Sequence, residues 1–67
     1  MSIATAEDRL EPLEYVKAIT GLKRATIYRK ISQGRFPRPA KLGSSSRWSR
    51  REVQEWVQAR LNERAAA

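Results

Sequence analysis

Sixty-seven residues are enough for one small domain, and with neither cysteine nor histidine among them it can hold no disulfide and no Cys/His metal site. Fourteen Lys and Arg against seven Asp and Glu give a formal net charge of +7, and no apolar run approaches the length of a membrane span or signal-peptide core. A cytoplasmic protein with a polyanionic partner is the reading this balance favours, with no membrane association.

Residues 1–8 (MSIATAED) are small and polar without periodicity and read as a loose tail. A single domain follows at 9–64, and 65–67 read as a fraying end. Residues 9–11 are a short strand or plain extended chain. Pro12 suits the first turn of a helix, where its missing N–H is not needed. Leu13, Val16 and Ile19 then recur at helical spacing, so a first helix is expected over about 12–19, stopped by Gly21 in a left-handed turn. A second helix is expected over about 24–33, with Ile27 and Ile31 facing inward and Gly34 ending it. Pro37 and Pro39 forbid further helix and favour extended chain.

Ala40-Lys41-Leu42 and Arg47-Trp48-Ser49 read as two short strands around a turn at Gly43-Ser44-Ser45-Ser46. If Leu42 and Trp48 share the buried face, they pair across the hairpin, and Arg47 falls at its tip beside the serines. Ser49-Arg50-Arg51-Glu52 has the S-x-x-E capping-box pattern and starts a last helix. Val53, Trp56, Val57 and Leu61 give that helix a core face, along which the Arg60 stem can lie. Leu10, Leu42 and Leu61 are counted with the core.

The charge is unevenly distributed. All seven acids lie in residues 1–14 and 52–67, while residues 15–51 carry eleven Lys or Arg and no Asp or Glu. A merely soluble surface would not need to exclude acids over that whole span; a polyanionic partner explains the exclusion. Helix, Gly turn, helix, hairpin, helix is also the element order of a small winged helix-turn-helix. The expected fold is therefore mainly α with a small β-hairpin: three helices and a two-stranded wing. In that architecture the second helix enters the major groove of double-stranded DNA and flanking cations bind phosphate.

Lys23, Arg24, Ala25, Thr26, Tyr28 and Arg29 are the candidate base readers on the second helix. Arg suits guanine bidentately, Thr and Ala methyls suit thymine, and hydroxyls suit base edges or phosphate. Ser44, Ser45, Ser46 and Arg47 are the candidate wing contacts, and Lys30, Arg35, Arg38, Lys41 and Arg50 the candidate phosphate contacts. Arg50 and Arg51 open the last helix, where the dipole disfavours cations, and so point to a nearby anion. Trp48 and Trp56 fit the core between hairpin and last helix better than a stacking platform. An enzyme is disfavoured: there is no His or Cys, and no carboxylate pair within the basic region for acid–base or nucleophilic work. No metal or cofactor is expected. An RNA-binding or protein-adaptor module is the reading from another class, although no glycine-rich clamp or exposed aromatic platform supports it.

The chain resembles the AlpA-type regulators of phages and mobile elements over about residues 10–62. The pieces that carry the resemblance are Thr20-Gly21-Leu22, Thr26-Ile27-Tyr28-Arg29, Gly34 with Phe36-Pro37 and Pro39, Lys41-Leu42-Gly43, Arg47-Trp48 and Trp56. Lys23 departs from the pattern, since Ser is common there as the cap of the second helix. The resemblance implies a winged helix-turn-helix related to MerR and excisionase domains. It also implies a prophage or mobile-element transcription regulator, or alternatively an excisionase that binds and bends attachment-site DNA. Self-association or cooperative binding on DNA, and contact with an integrase or RNA polymerase, are the further expected interactions.

Overall fold

The computed structural model describes residues 8–66, so residues 1–7 of the expected tail at 1–8, and residue 67 of the expected fraying end at 65–67, lie outside the described residues. Six elements follow in order: β1 (Leu10–Glu11), α1 (Leu13–Thr20), α2 (Arg24–Ser32), β2 (Ala40–Leu42), β3 (Ser45–Ser49) and α3 (Arg50–Ala66). The three strands form one antiparallel sheet in the order β1-β3-β2. The expected mainly helical fold with a small hairpin is present, and the sheet gains a third strand because residues 10–11 pair with β3.

Local chemistry sets the helix limits. Pro12 caps α1 from outside, its carbonyl accepting from Tyr15 N–H at 3.0 Å. At the other end Gly21 has φ 74° and donates its N–H to the Lys17 carbonyl at 2.8 Å, the single bond of the αL stop. Thr20 fixes the turn that follows: its hydroxyl donates to the Val16 carbonyl and accepts from Leu22 N–H. α2 ends in a Schellman motif. Arg35 N–H reaches the Lys30 carbonyl at 2.8 Å and Gly34 N–H the Ile31 carbonyl at 3.0 Å, with Gly34 at φ 72°.

Ser49 caps α3 as its sequence pattern suggested, accepting from Glu52 N–H at 3.1 Å. The rest of the cap comes from the other end of the chain. Asp8 Oδ1 accepts from Arg51 N–H at 3.0 Å, Asp8 Oδ2 accepts from the Ser49 hydroxyl at 2.6 Å, and the Arg9 carbonyl accepts from Arg50 N–H at 2.7 Å. Three of the four N–H groups that a helix start leaves open are thereby paired.

These donors, the Ser49 hydroxyl foremost and then the Arg51 amide, hold the Asp8 carboxyl below its ordinary value. A carboxylate with a depressed folded pKa stabilises the fold above its unfolded value, and that stabilisation is lost as pH falls through the folded value. Asp8→Ala is therefore expected to lower the melting temperature at neutral pH. The two melting curves should converge as the pH drops through and below about 4. Thermal melts of both proteins followed by circular dichroism check this; a constant gap across that range would contradict it.

Each helix, the central strand and the proline bend contribute one residue to the buried core: Val16, Ile27, Phe36, Trp48 and Val53. The Trp48 indole N–H, which cannot be left unpaired inside, donates to the Pro37 carbonyl at 3.1 Å. Leu13, Tyr15, Ile19, Leu22, Tyr28, Ile31 and Trp56 pack around this centre.

The hairpin register differs from the expected one. Ala40 faces Arg47, Lys41 faces Ser46, and Leu42 faces Ser45; the partner of Trp48 is Glu11 on β1. The turn is only two residues, Gly43-Ser44, and Gly43 has φ 64° while Ser44 has a negative φ, the signs of a type II′ turn. So tight a turn forces Leu42 opposite Ser45. Strand alternation then puts Leu42 on the sheet face away from Trp48, where it is 53 % exposed. Arg47 is consequently two pairs below the tip rather than at it. Leu10 at 51 % and Leu61 at 41 % exposed also lie outside the core expected to hold them.

Candidate nucleic-acid interface

α2 is a nine-residue helix with no side-chain cap at Lys23 and no acid in its first turn. Its inner side is set by Ile27 and Ile31. Opposite them, at i, i+4 and i+7, Ala25, Arg29 and Ser32 form an exposed stripe. Lys23 and Arg24 are exposed at its start, while Thr26 and Lys30 are half-buried on one flank. Tyr28 occupies the other flank, half-buried against the core, its ring edge-on to Trp48 with centroids 6.1 Å apart. The Arg24 guanidinium lies over the Tyr28 ring at 5.5 Å.

Of the eleven cations in residues 15–51, three are at ion-pair distance from acids. Lys17 pairs with Glu14 at 3.7 Å, Arg50 with Glu11 at 3.9 Å and Arg51 with Asp8 at 3.9 Å. The anion inferred from two cations at a helix start is thus supplied within the chain by Asp8 and Glu11. Arg50 is also stacked over Tyr15 at 5.8 Å, and among the expected phosphate contacts it is the one paired with a carboxylate among the described residues. The other eight have no carboxylate at ion-pair distance among the described residues. They are Lys23 at the N-cap of α2, Arg24, Arg29 and Lys30 on α2, Arg35 and Arg38 in the bend, and Lys41 and Arg47 on the hairpin. The charge left free is therefore concentrated on α2, the bend and the hairpin.

On the hairpin, Gly43 and Ser44 are exposed at the tip. Ser45, Ser46 and Arg47 belong to β3 and are half-buried. Lys41 is exposed and its ammonium donates to the Ser46 hydroxyl at 3.0 Å; Arg47 donates to the Ser46 carbonyl at 2.9 Å. Ser46 thus holds both hairpin cations in place.

One surface went unnoticed in the sequence. An open groove of about 770 Å³ runs past Lys30, Arg35, Phe36, Pro37, Trp56 and Arg60. The Trp56 indole N–H donates to the Arg35 carbonyl at 2.8 Å, and Arg60, which donates to the Glu63 carboxylate from Nη2 at 2.8 Å and from Nε at 3.1 Å, covers the Trp56 ring at 4.9 Å. Trp56 and Arg60 are four residues apart on α3, and that spacing was the available signal.

No helix among the described residues is long and apolar enough to cross a membrane. Residues 10–61 match the family model described as prophage CP4-57 regulatory protein (AlpA). Neither the curated proteins nor the solved structures contain a match.

Proposed function

The chain belongs to the AlpA family of prophage regulatory proteins, and on that premise we propose that it acts by sequence-specific binding of double-stranded DNA. α2 lies in the major groove and the hairpin runs beside the adjacent backbone. The observation that carries this reading is the set of eight cations without acid partners among the described residues, gathered at α2, the bend and the hairpin. The exposed stripe of α2 supplies base contacts, centred on Ala25 and Arg29 with Lys23 and Arg24 at the helix start. Arg35, Arg38 and Lys41 supply phosphate contacts. Regulation acts through occupancy of the site, with neighbouring copies binding cooperatively, since one small domain buries limited surface on DNA.

Selection from random duplex DNA tests this reading. A defined enriched sequence is the expected outcome, and salt-sensitive binding to every duplex without enrichment would refute it. The position of the enriched sequence in the genome separates two uses of the same contact: a promoter marks a transcription regulator, an attachment site an excisionase. Equal affinity for RNA hairpins would instead favour an RNA-binding module.

Arg38→Ala and Lys41→Ala should each weaken binding to selected and scrambled duplexes alike. Each should also lower the slope of log K against log salt by about one. Fluorescence anisotropy over a salt series measures this; an unchanged slope would remove the residue from the phosphate contacts.

A further inference from the structure

Resting on the reading of α2 as the groove-entering helix, we infer that Tyr28 is a positioning residue that holds Arg24 ready to read a guanine. Three side chains are stacked in series. Trp48 is fully buried at the base, tied through its indole N–H to the Pro37 carbonyl. Tyr28 stands edge-on to it, ring planes 72° apart, the arrangement that aromatic pairs favour. Arg24 lies over Tyr28 at 5.5 Å, one helical turn nearer the start of α2. The core thus fixes the ring, and the ring fixes the guanidinium.

That arrangement matters because a free Arg must lose rotamer freedom before its planar fork can meet two acceptors. A cation–π contact removes part of that freedom before DNA arrives. Guanine is the base that offers two acceptors, O6 and N7, to such a fork in the major groove. Among the α2 cations only Arg24 has an aromatic ring against it: Arg29 has none among the described contacts, and Lys23 has no fork. The role of Tyr28 is therefore indirect. Its ring selects the base by orienting Arg24, and its hydroxyl is dispensable.

Four single variants, one double variant, a selected duplex and scrambled DNA test this. The duplex is used intact and with the guanine read by Arg24 replaced. Tyr28→Phe should keep both affinity and base preference. Tyr28→Leu should bind scrambled DNA as the wild type does but lose about tenfold of its preference for guanine. Arg24→Lys keeps the charge without the fork and should show the same loss, which keeps the test open if Tyr28→Leu folds poorly. Arg24→Ala should cost much less discrimination in the Tyr28→Leu background than in the wild type.

A changed base preference in Tyr28→Phe would mean that the phenol touches DNA itself. Unchanged discrimination in Tyr28→Leu or Arg24→Lys, or strictly additive losses, would mean that the stack only packs. Each of these outcomes overturns the inference while leaving DNA binding in place. A wild type that enriches no sequence overturns the reading of α2, and this inference with it.

Discussion

Trp48→Ala leaves the domain unfolded or at the edge of folding. Trp48 is fully buried at the meeting point of all three helices and the proline bend, and its indole N–H pairs with the Pro37 carbonyl. Removing so large a core side chain typically costs about 3–5 kcal/mol. A chain of this length has about 3–10 kcal/mol of stability in total. Most or all of it is therefore at stake, and a chain without cysteine has no disulfide to compensate. Urea unfolding followed by circular dichroism is the measurement. Leu42→Ala is the companion variant: Leu42 is on the opposite sheet face and half exposed, so its loss should cost under about 1 kcal/mol. Had Leu42 shared the buried face with Trp48, truncation would cost about 2–5 kcal/mol. The pair of variants therefore tests the hairpin register together with the core.

Arg29→Ala weakens binding to the selected duplex by about 1–3 kcal/mol, roughly 5- to 150-fold, and relaxes preference at one base position. Arg29 is central in the exposed stripe of α2, with no carboxylate at ion-pair distance among the described residues. No described residue competes for its guanidinium, and its exposure makes truncation nearly neutral for stability. Anisotropy titrations with selected and scrambled duplexes at one salt concentration separate the possibilities. Equal losses on both would make Arg29 a phosphate contact. No loss on either would place α2 outside the groove.

What the sequence disclosed follows a physical line. Gly21, Gly34 and the Ser49–Glu52 pattern act within a few residues of themselves, so the helix ends were legible to within one or two positions. Ile27 and Ile31 at i, i+4 identified the inner side of α2 for the same reason. The hairpin register was not legible because Gly43-Ser44-Ser45-Ser46 contains several acceptable turns, and only the strand partners choose among them. β1 is two residues long and exists because β3 is beside it. The Asp8 bonds span more than forty residues and have no local signal.

The site divides in the same way. That the middle of the chain is basic is plain from composition. Which cations remain free depended on where Asp8, Glu11 and Glu14 came to rest, and this removed Arg50 from the open set. Tyr28 adjoins Ile27 on the helix, so spacing alone left it between core and surface; its contact with Trp48 places it on the core side.

The clasp of Asp8 and Arg9 on the start of α3 has a consequence for the order in which the chain assembles. α1 with α2, and β2 with β3, are neighbours in sequence and close short loops, so they can form quickly and independently. β1 and the Asp8 contacts must wait until β3 and the start of α3 exist, because their hydrogen-bond partners lie there. The N-terminal segment is then the last piece to lock and the first to open. Amide hydrogens of Leu10 and Glu11 would exchange with solvent well before those of Ile27 or Val53, and the helix pair that carries the charge would outlast the strand that seals it.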